Sequence, residues 1–292
     1  IIKMIGCYHG HSDSLLVSAG SGLAENSTPS SSGVPVDVAK LTIALPYNDI
    51  EAVKTAFLNH KSRIAAIIVE PVAANMGVVL PQKGYLEQLR QICKQEKSLL
   101  IFDEVITGFR LSAGGAQKLF DINPDLTCLG KIAGGGLPLA AFGGKTEIMN
   151  QLAPLGSIYQ AGTLSGNPIA TAAANATLNT LLDDKNYQKL EESGAFLESG
   201  LKNAAKQSDI PLTINRIGSI MSCFFTDKPV NNFDDVQTTN IKMFKKFFAE
   251  MLNQGIYLAP SAYEAMFISL AHTKKDLEET IKAAKISFAK CK

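Results

Sequence analysis

The fold of this chain is decided by two apolar runs, Ile64–Val69 (IAAIIV) and Leu99–Phe102 (LLIF). Continuous apolar runs of this length are typical of strands that are covered on both faces. Between them, Tyr85–Gln95 places its apolar side chains on one face at helical spacing. Strand, helix and strand in this order predict parallel pairing through a right-handed crossover, and therefore an α/β fold in which helices flank a mainly parallel sheet.

The pattern changes towards the C-terminus. A helix rich in alanine is predicted over residues 165–182, and a second helix over about 187–205. Beyond them we predict strands at 212–214, 219–225, 256–258 and 266–270, and helices at 238–253 and 274–290. We therefore predict a large domain over residues 1–183 and a smaller C-terminal α+β domain over residues 184–292.

The composition is that of a globular protein with a large core. Of the 292 residues, 46% are hydrophobic and 19% are charged, and the formal net charge is +1. This balance predicts no nucleic-acid partner, and no apolar run is long enough to predict a membrane span. The 5 cysteines are scattered and odd in number, which favours reduced thiols in a cytoplasmic protein. Ile1–Gly6 reads as the interior of a strand without an initiator methionine, so we interpret the chain as a fragment.

Two residues suggest a specific chemistry. Asp103 ends the second apolar run, and Lys131 precedes the glycine run Gly134–Gly136. A lone lysine is most often a solvated surface charge, and an aspartate after a strand is often a helix cap. Pyridoxal phosphate (PLP) needs both residue types, because a lysine binds its aldehyde carbon and a carboxylate pairs with its ring nitrogen. The glycines would also let the backbone approach whatever Lys131 contacts.

The segments around these residues resemble the class III aminotransferases of fold type I, which use PLP. The resemblance begins with Asp103–Arg110 (DEVITGFR) and Gly130–Pro138 (GKIAGGGLP). It extends to three further segments, which are similar to the aminomutases of that family: Gly6–Asp13 (GCYHGHSD), Glu70–Gly77 (EPVAANMG) and Tyr159–Pro168 (YQAGTLSGNP). It covers essentially the whole chain and implies an isomerase that converts glutamate-1-semialdehyde to 5-aminolevulinate, a precursor of porphyrins and other tetrapyrroles. PLP would cycle with pyridoxamine 5'-phosphate.

The resemblance also implies a role for each matching residue. Lys131 would hold the cofactor covalently, and Asp103 would pair with the pyridine nitrogen. The other residues implied in cofactor binding are Tyr8 and Val105 on the two ring faces, His9 beside the Tyr8 turn, Asn75 near the ring oxygen, and Gly162 and Thr163 at the phosphate of the neighbouring subunit. The implied substrate pocket contains Ser21, Tyr159 and Glu264. The active site would therefore need a homodimer, and the stretch 12–35, rich in serine and glycine, would form a mobile lid.

Part of the family pattern has no match in this chain. The family's other phosphate-binding loop, a Ser-Gly-Thr turn before a helix, would precede residue 1, and so would the arginine that binds the substrate carboxylate. A helix N-terminus is a strong anion site because its backbone N–H groups are unpaired. The chain alone is therefore expected to bind the cofactor weakly.

Some of the same residues also suggest other kinds of site. His9–Asp13 contains a His-x-His pair with a nearby aspartate, as in zinc hydrolases, but His60 and His272 do not lie in a ligand-like pattern. A nucleotide-binding loop is excluded because Ile132, and not serine or threonine, follows Lys131. Metal-dependent hydrolysis is therefore a minor alternative to PLP chemistry.

Two further alternatives concern the activity itself. An ordinary class III aminotransferase would need a separate amino acceptor; Glu264 and the long lid favour the aminomutase, because many related aminotransferases place an arginine near that glutamate. A non-enzymatic binding protein is not supported, because Lys131 and Asp103 are both present.

Overall fold

The computed structural model describes residues 1–18 and 28–291. The chain divides into two compact units. The first consists of Ile1–Pro71 and Lys83–Asp184, and the second of Val72–Gln82 and Lys185–Lys292. The change from one unit to the other after Asp184 lies one residue beyond the end of the predicted large domain. The segment Val72–Gln82 differs from the sequence-based division, which assigns it to the first domain.

Hydrogen bonds explain why Val72–Gln82 belongs to the second unit. The backbone N–H of Gly77 donates to the carbonyl oxygen of Tyr263 over 2.6 Å, and the N–H of Val78 donates to Ser222 Oγ over 2.9 Å. Asn215 Nδ2 donates to the Val78 carbonyl over 2.8 Å. These partners are distant in sequence, so no local pattern could reveal the association.

The first unit is built on a six-stranded sheet. Its strands and a small hairpin are, in chain order, β1 (Ile2–Met4), the hairpin strands β2 (Val17–Ser18) and β3 (Thr28–Pro29), β4 (Ile43–Leu45), β5 (Ala66–Val69), β6 (Leu99–Asp103), β7 (Leu126–Leu129) and β8 (Ala141–Gly144). Its helices are α1 (Val36–Ala39), α2 (Ile50–Asn59), α3 (Tyr85–Gln95), α4 (Gly115–Phe120), α5 (Thr146–Met149) and α6 (Pro168–Leu181).

The sheet order is β4-β1-β5-β6-β7-β8, and every pairing is parallel except that of β7 with β8. The two apolar runs form the neighbouring central strands β5 and β6, and α3 has the predicted bounds. Ile67, Leu100 and Phe102 are completely buried, as expected for strands covered on both faces. The prediction of a mainly parallel sheet flanked by helices is confirmed.

The second unit has a three-stranded antiparallel sheet in the order β11-β10-β9. Its elements are α7 (Asp184–Gln207), β9 (Thr213–Ile217), β10 (Ile220–Phe224), α8 (Phe233–Gln237), α9 (Ile241–Asn253), β11 (Met266–Phe267) and α10 (Lys274–Lys290). Phe247 of α9 stacks on Phe288 of α10 with ring centroids 4.4 Å apart. The predicted strand at 256–258 does not form, and Tyr257 within it is 75% exposed.

None of the helices formed by residues 1–18 and 28–291 is long and apolar enough to span a membrane.

Candidate active site

Parallel pairing brings the ends of three strands to one edge of the sheet. Val69 of β5 pairs with Phe102 of β6, and Asp103 pairs with Cys128 of β7. Glu70 and Asp103 therefore lie at the same level, and the turn that carries Lys131 begins just beyond β7. Carboxyl edges of parallel sheets are the usual place for ligand sites. We call this end of the sheet, with Glu70, Asp103 and the Lys131 turn, the carboxyl edge.

Asp103 is a buried carboxylate with two described hydrogen-bond partners. Its Oδ2 lies 2.8 Å from His9 Nδ1, and its Oδ1 accepts the backbone N–H of Val105 over 3.1 Å. Because a carboxylate oxygen accepts, His9 donates through Nδ1. Within the described part of the first unit, neither lysine nor arginine forms an ion pair with Asp103. A carboxylate has about four lone-pair sites, so Asp103 has capacity for a further donor.

The thiols near this carboxylate are not nucleophiles. Burial raises the pKa of the Cys7 thiol well above its usual range, and the negative charges of Glu70 and Asp103 add to this effect. Burial and the charge of Asp103 also raise the pKa of Cys128. Both thiols therefore stay protonated at neutral pH and act as small packing groups.

Lys131 opens a short 3-10 turn, Lys131–Gly134, directly after β7. Its side chain is exposed and its φ is +45°, a left-handed conformation that is uncommon for residues other than glycine. Strained backbone of this kind concentrates at functional positions. The fold thus places a lysine at the same edge as Asp103 and holds it in a costly conformation.

One of the glycines after Lys131 has a packing role. A Cβ atom on Gly135 would lie 2.9 Å from the carbonyl oxygen of Ala173 and would also collide with Thr177 Oγ1 of the same helix, α6. Gly135 has a φ of +59°, and Gly136 a φ of +93° with no atom within 4 Å of such a Cβ. At Gly135 the run therefore allows the Lys131 turn to pack against α6.

Tyr8 presents its ring at the carboxyl edge. The side chain is 49% exposed, while its backbone N–H donates to Glu70 Oε1 over 2.8 Å. An aromatic face left accessible beside a buried carboxylate can stack on a planar ring. The predicted contact of Tyr8 with the cofactor ring stays a prediction, as does that of His9.

The predicted residues at 159–163 lie on an exposed stretch. Tyr159 is 84% exposed, and Gly162 and Thr163 are also exposed. In the described chain, no hydrogen bond links these three residues to the carboxyl edge, and the Gly162 carbonyl accepts only the local N–H of Ser165. Val105 and Leu164, the residue after Thr163, nevertheless both line one pocket of about 620 Å³.

The remaining predicted site residues lie elsewhere. Asn75 is partly buried on the Val72–Gln82 segment of the second unit, and Glu264 is exposed in a turn of the same unit. Ser21 lies outside the described residues, as does the part of the predicted lid at 19–27. Their predicted roles stay predictions.

Two acidic residues at this edge were not assigned functions from the sequence. Glu104 is completely buried, and its carboxylate accepts from Thr107 Oγ1, from the N–H groups of Ala116 and Gln117, and from Gln117 Nε2. Glu70 is buried and accepts from Tyr8. Glu70 directly follows β5, and Glu104 directly follows β6. Buried carboxylates need hydrogen-bond partners, and the ends of parallel strands are common places for ligand sites.

A metal site finds no support in the residues described. His9 of the His-x-His pair is bound to Asp103, while His11 and Asp13 are exposed. In residues 1–18 and 28–291, no group of three or more His, Cys, Asp or Glu side chains could hold a metal ion.

The carboxyl edge fits PLP on structural grounds. A cationic ring nitrogen would give buried Asp103 an opposite charge, because neither lysine nor arginine of the described first unit pairs with it. Tyr8 offers an accessible aromatic face, and Lys131 offers an exposed amine. Asp103, Tyr8 and Lys131 would hold the ring nitrogen, the ring face and the aldehyde carbon, respectively.

Comparison with known proteins gives the family. The chain is 55% identical over 284 residues to glutamate-1-semialdehyde 2,1-aminomutase of Sulfurihydrogenibium sp. (strain YO3AOP1), covering 97% of this chain and 66% of that protein. It therefore spans about two thirds of the length of the curated relatives it matches.

Solved structures share the fold. An omega-transaminase from Sphaerobacter thermophilus has a TM-score of 0.92 and 26% identity, covering 100% of this chain and 68% of that one. The FumI protein of Sphingopyxis sp. MTA144, in its PLP internal aldimine form, has a TM-score of 0.82 and 27% identity, covering 99% and 64%. The prediction of a fold type I transferase is confirmed. A family model described as Aminotransferase class-III matches residues 1–286, and the chain belongs to that family.

Proposed function

We propose that this protein uses PLP to move an amino group within one substrate molecule, converting glutamate-1-semialdehyde to 5-aminolevulinate. The observation that carries the proposal is the placement of Lys131 at the same sheet edge as buried Asp103, in a member of the class III aminotransferases. The choice of reaction follows the name of the relative that is 55% identical over 97% of this chain. The product would supply tetrapyrrole synthesis.

Each residue of the proposed site has a separate role in the reaction. PLP, when bound, supplies an electron sink that stabilises negative charge on the carbon next to the transferred nitrogen. Asp103 keeps the ring nitrogen protonated, because its buried negative charge favours the cationic form. Tyr8 and Val105 fix the ring plane from its two faces. Lys131 would hold the cofactor through its side-chain amine, and this amine is the group that would move protons at the reacting carbons.

The amino group leaves and rejoins the same molecule, so the reaction consumes no second amino acceptor. Substrate and product are isomers, and the net change is an exchange of an amine and a carbonyl between neighbouring carbons. Asn75, Ser21, Tyr159 and Glu264 are proposed to surround the ring oxygen and the substrate, as the family resemblance implies.

A homodimer is part of the proposal. The stretch around the predicted phosphate contacts exposes large apolar side chains: Leu155, Ile158, Tyr159, Leu164 and Ile169, each more than half exposed. Exposed apolar surface of this kind is typical of interfaces. Gly162 and Thr163, on this stretch, would reach the phosphate in the neighbouring subunit. All five cysteines are free thiols, which supports a cytoplasmic location.

The test combines labelling and turnover. The protein is incubated with PLP, reduced with borohydride and mapped by peptide mass spectrometry, with Lys131→Ala and the exposed-lysine control Lys61→Ala treated in parallel. We expect label on Lys131 in the wild type and in Lys61→Ala, and none on residue 131 in Lys131→Ala. Label elsewhere would overturn the assignment.

The reaction itself is tested with glutamate-1-semialdehyde and no added amino acceptor. We expect 5-aminolevulinate to form in the wild type and in Lys61→Ala, and formation to stop in Lys131→Ala. Turnover that depends on an added keto acid would instead identify an ordinary aminotransferase.

A further inference from the structure

Glu70 holds the backbone of Tyr8 from a distant point in the chain. It follows β5 directly, is 3% exposed, and its Oε1 accepts the backbone N–H of Tyr8 over 2.8 Å. The two residues are 62 positions apart in the chain. A buried carboxylate is costly unless it is hydrogen-bonded, so this contact specifies where the turn lies.

A second carboxylate holds the next residue of the same turn. Asp103 Oδ2 lies 2.8 Å from Nδ1 of His9, whose side chain is fully buried. Because Val69 pairs with Phe102 in parallel register, Glu70 and Asp103 are neighbours at the ends of adjacent strands. Consecutive residues of the turn are thus attached to consecutive strands, one through its backbone and the other through its side chain.

The charge of Glu70 has a nearby counterpart. Lys3 of β1 is 5% exposed, and its Nζ donates to the Leu15 carbonyl over 2.9 Å. Burial lowers the pKa of Lys3, and attraction to Cys7 and then to Glu70 offsets part of that shift. An ammonium group close enough to interact with the carboxylate reduces the cost of keeping Glu70 ionised behind the Tyr8 turn.

The backbone and the ring of Tyr8 are held differently, and this difference suggests what the hydrogen bond to Glu70 does. Its backbone is fixed by Glu70, whereas its ring is half exposed. If Glu70 served only to fill the sheet edge, nothing would require its acceptor to meet this particular N–H. A ring that must stack in one plane needs its Cα fixed, because Tyr χ1 and χ2 are the only remaining freedoms.

We propose that Glu70 is a positioning residue that fixes the plane of the Tyr8 ring against the cofactor. In this proposal Glu70 acts through the backbone of Tyr8 and does not itself contact the cofactor. This inference rests on the proposed function, because it assumes that PLP lies against Tyr8 at the carboxyl edge.

The experiment is a double-mutant cycle between Glu70 and Tyr8. Glu70→Ala removes the acceptor, Tyr8→Ala removes the ring but keeps the backbone N–H, and Glu70→Gln keeps an oxygen able to accept it. The dissociation constant of PLP is measured by titrating apo-protein, and visible circular dichroism of the bound cofactor reports its orientation. Asp125→Asn, a buried carboxylate on the opposite edge of the sheet, is the control.

We expect Glu70→Ala to raise the dissociation constant about tenfold, the size expected for losing a hydrogen bond to a charged group. It should also weaken the visible circular dichroism per bound cofactor. Glu70→Gln should stay within about threefold of the wild type, because an uncharged acceptor retains much of the bond. In the Tyr8→Ala background, Glu70→Ala should add less than about a twofold change, because its effect runs through the missing ring.

Several outcomes would overturn the inference. They are equal effects of Glu70→Ala with and without the Tyr8 ring, no effect at all, or the same loss of circular dichroism in Asp125→Asn. If Glu70→Ala does not fold, Glu70→Asp, which retracts the carboxylate by one methylene, takes its place in the cycle. Failure of the wild type to bind PLP would overturn the proposed function as well, whereas normal wild-type binding with an unaltered Glu70→Ala would overturn the role of Glu70 alone.

Discussion

Two buried aspartates sit at opposite edges of the same pair of strands, and they are satisfied in different ways. Asp125, just before β7, accepts from Arg90 Nη1 at 2.8 Å, from Lys145 Nζ at 2.6 Å and from the Leu100 N–H at 2.7 Å. Asp103, at the end of β6, has the His9 ring and one backbone N–H. The amino-edge carboxylate pairs with a lysine and an arginine, whereas the carboxyl-edge one pairs with neither in the described residues.

The difference separates a structural carboxylate from one prepared for a ligand. Burial alone raises the pKa of Asp125, but its bonds to Lys145, Leu100 and Arg90 outweigh burial and hold the pKa below its usual value. Its negative charge is therefore paired with cationic side chains of the fold itself. Asp103 is buried and keeps acceptor capacity, so a cationic group of a ligand can pair with it.

The strongest test of this contrast is removal of the charge at Asp103. Asp103→Asn is nearly isosteric, but its side chain cannot keep a ring nitrogen protonated, so we expect turnover to fall by at least about 100-fold. The free energy of unfolding should change by less than about 1 kcal/mol, because the amide oxygen of asparagine can still accept a hydrogen bond at this position. Steady-state kinetics and urea unfolding of the same preparation measure both quantities. Unchanged turnover would remove Asp103 from the chemistry.

The reciprocal change is Asp125→Asn, and it should affect stability instead. Losing one carboxylate leaves Arg90 and Lys145 without their partner, and we expect a loss of about 3 kcal/mol in the free energy of unfolding at neutral pH. Turnover of the folded enzyme should stay near that of the wild type. If Asp125→Asn reduced turnover as strongly as Asp103→Asn, the two edges would not differ in role.

The pH dependence of this loss follows from the direction of the pKa shift. Because the folded-state pKa of Asp125 is depressed, its contribution is complete above the unfolded value of about 3.9 and disappears as the pH falls through the folded value. The stability difference between wild type and Asp125→Asn should therefore shrink only in that acidic range. A difference that already shrinks between about pH 7 and 5 would point to another group.

Much of the carboxyl edge could be predicted because its signals are local. The apolar runs specify β5 and β6, the chain order specifies parallel pairing, and Asp103 follows directly. The edge strand β8 was missed, because Ala141–Gly144 (AFGG) is short and half glycine, a composition that disfavours strands. It forms because β7 offers an open edge with which it pairs in antiparallel register.

The contacts that complete the site could not be predicted without the family resemblance. No spacing rule links Tyr8 to Glu70 or His9 to Asp103, because these pairs depend on where the chain returns to the sheet. The assignment of Val72–Gln82 to the second unit likewise depends on distant partners. The strand predicted at 256–258 is wrong: these residues do not form a strand, and Tyr257 is largely exposed.

A smaller effect tests whether packing, and not charge, holds Lys131 at this edge. Gly135→Ala places a methyl group against Ala173 and Thr177, and we expect it to cost about 2 kcal/mol and to slow borohydride-trapped labelling of Lys131. Gly136→Ala is the matched control, because it also has a positive φ but meets no atom within 4 Å. It should cost only the backbone strain, about 1 kcal/mol. Equal costs would mean that the contact with α6 is irrelevant.

The smallest expected effect concerns the exposed stretch before α6, which has no described hydrogen bond to the carboxyl edge. Asn167 caps α6 by accepting the Ala170 N–H over 2.9 Å, and its Nδ2 donates to the Leu164 carbonyl over 3.0 Å. Asn167→Ala should cost about 1 kcal/mol of stability and, by loosening the turn beside Gly162 and Thr163, raise the PLP dissociation constant about threefold. The N-cap variant Asn232→Ala in the second unit should cost a similar amount of stability without changing PLP affinity. Unaltered affinity in Asn167→Ala would show that the phosphate contacts do not depend on this cap, and the carboxyl edge alone would then account for binding by this chain.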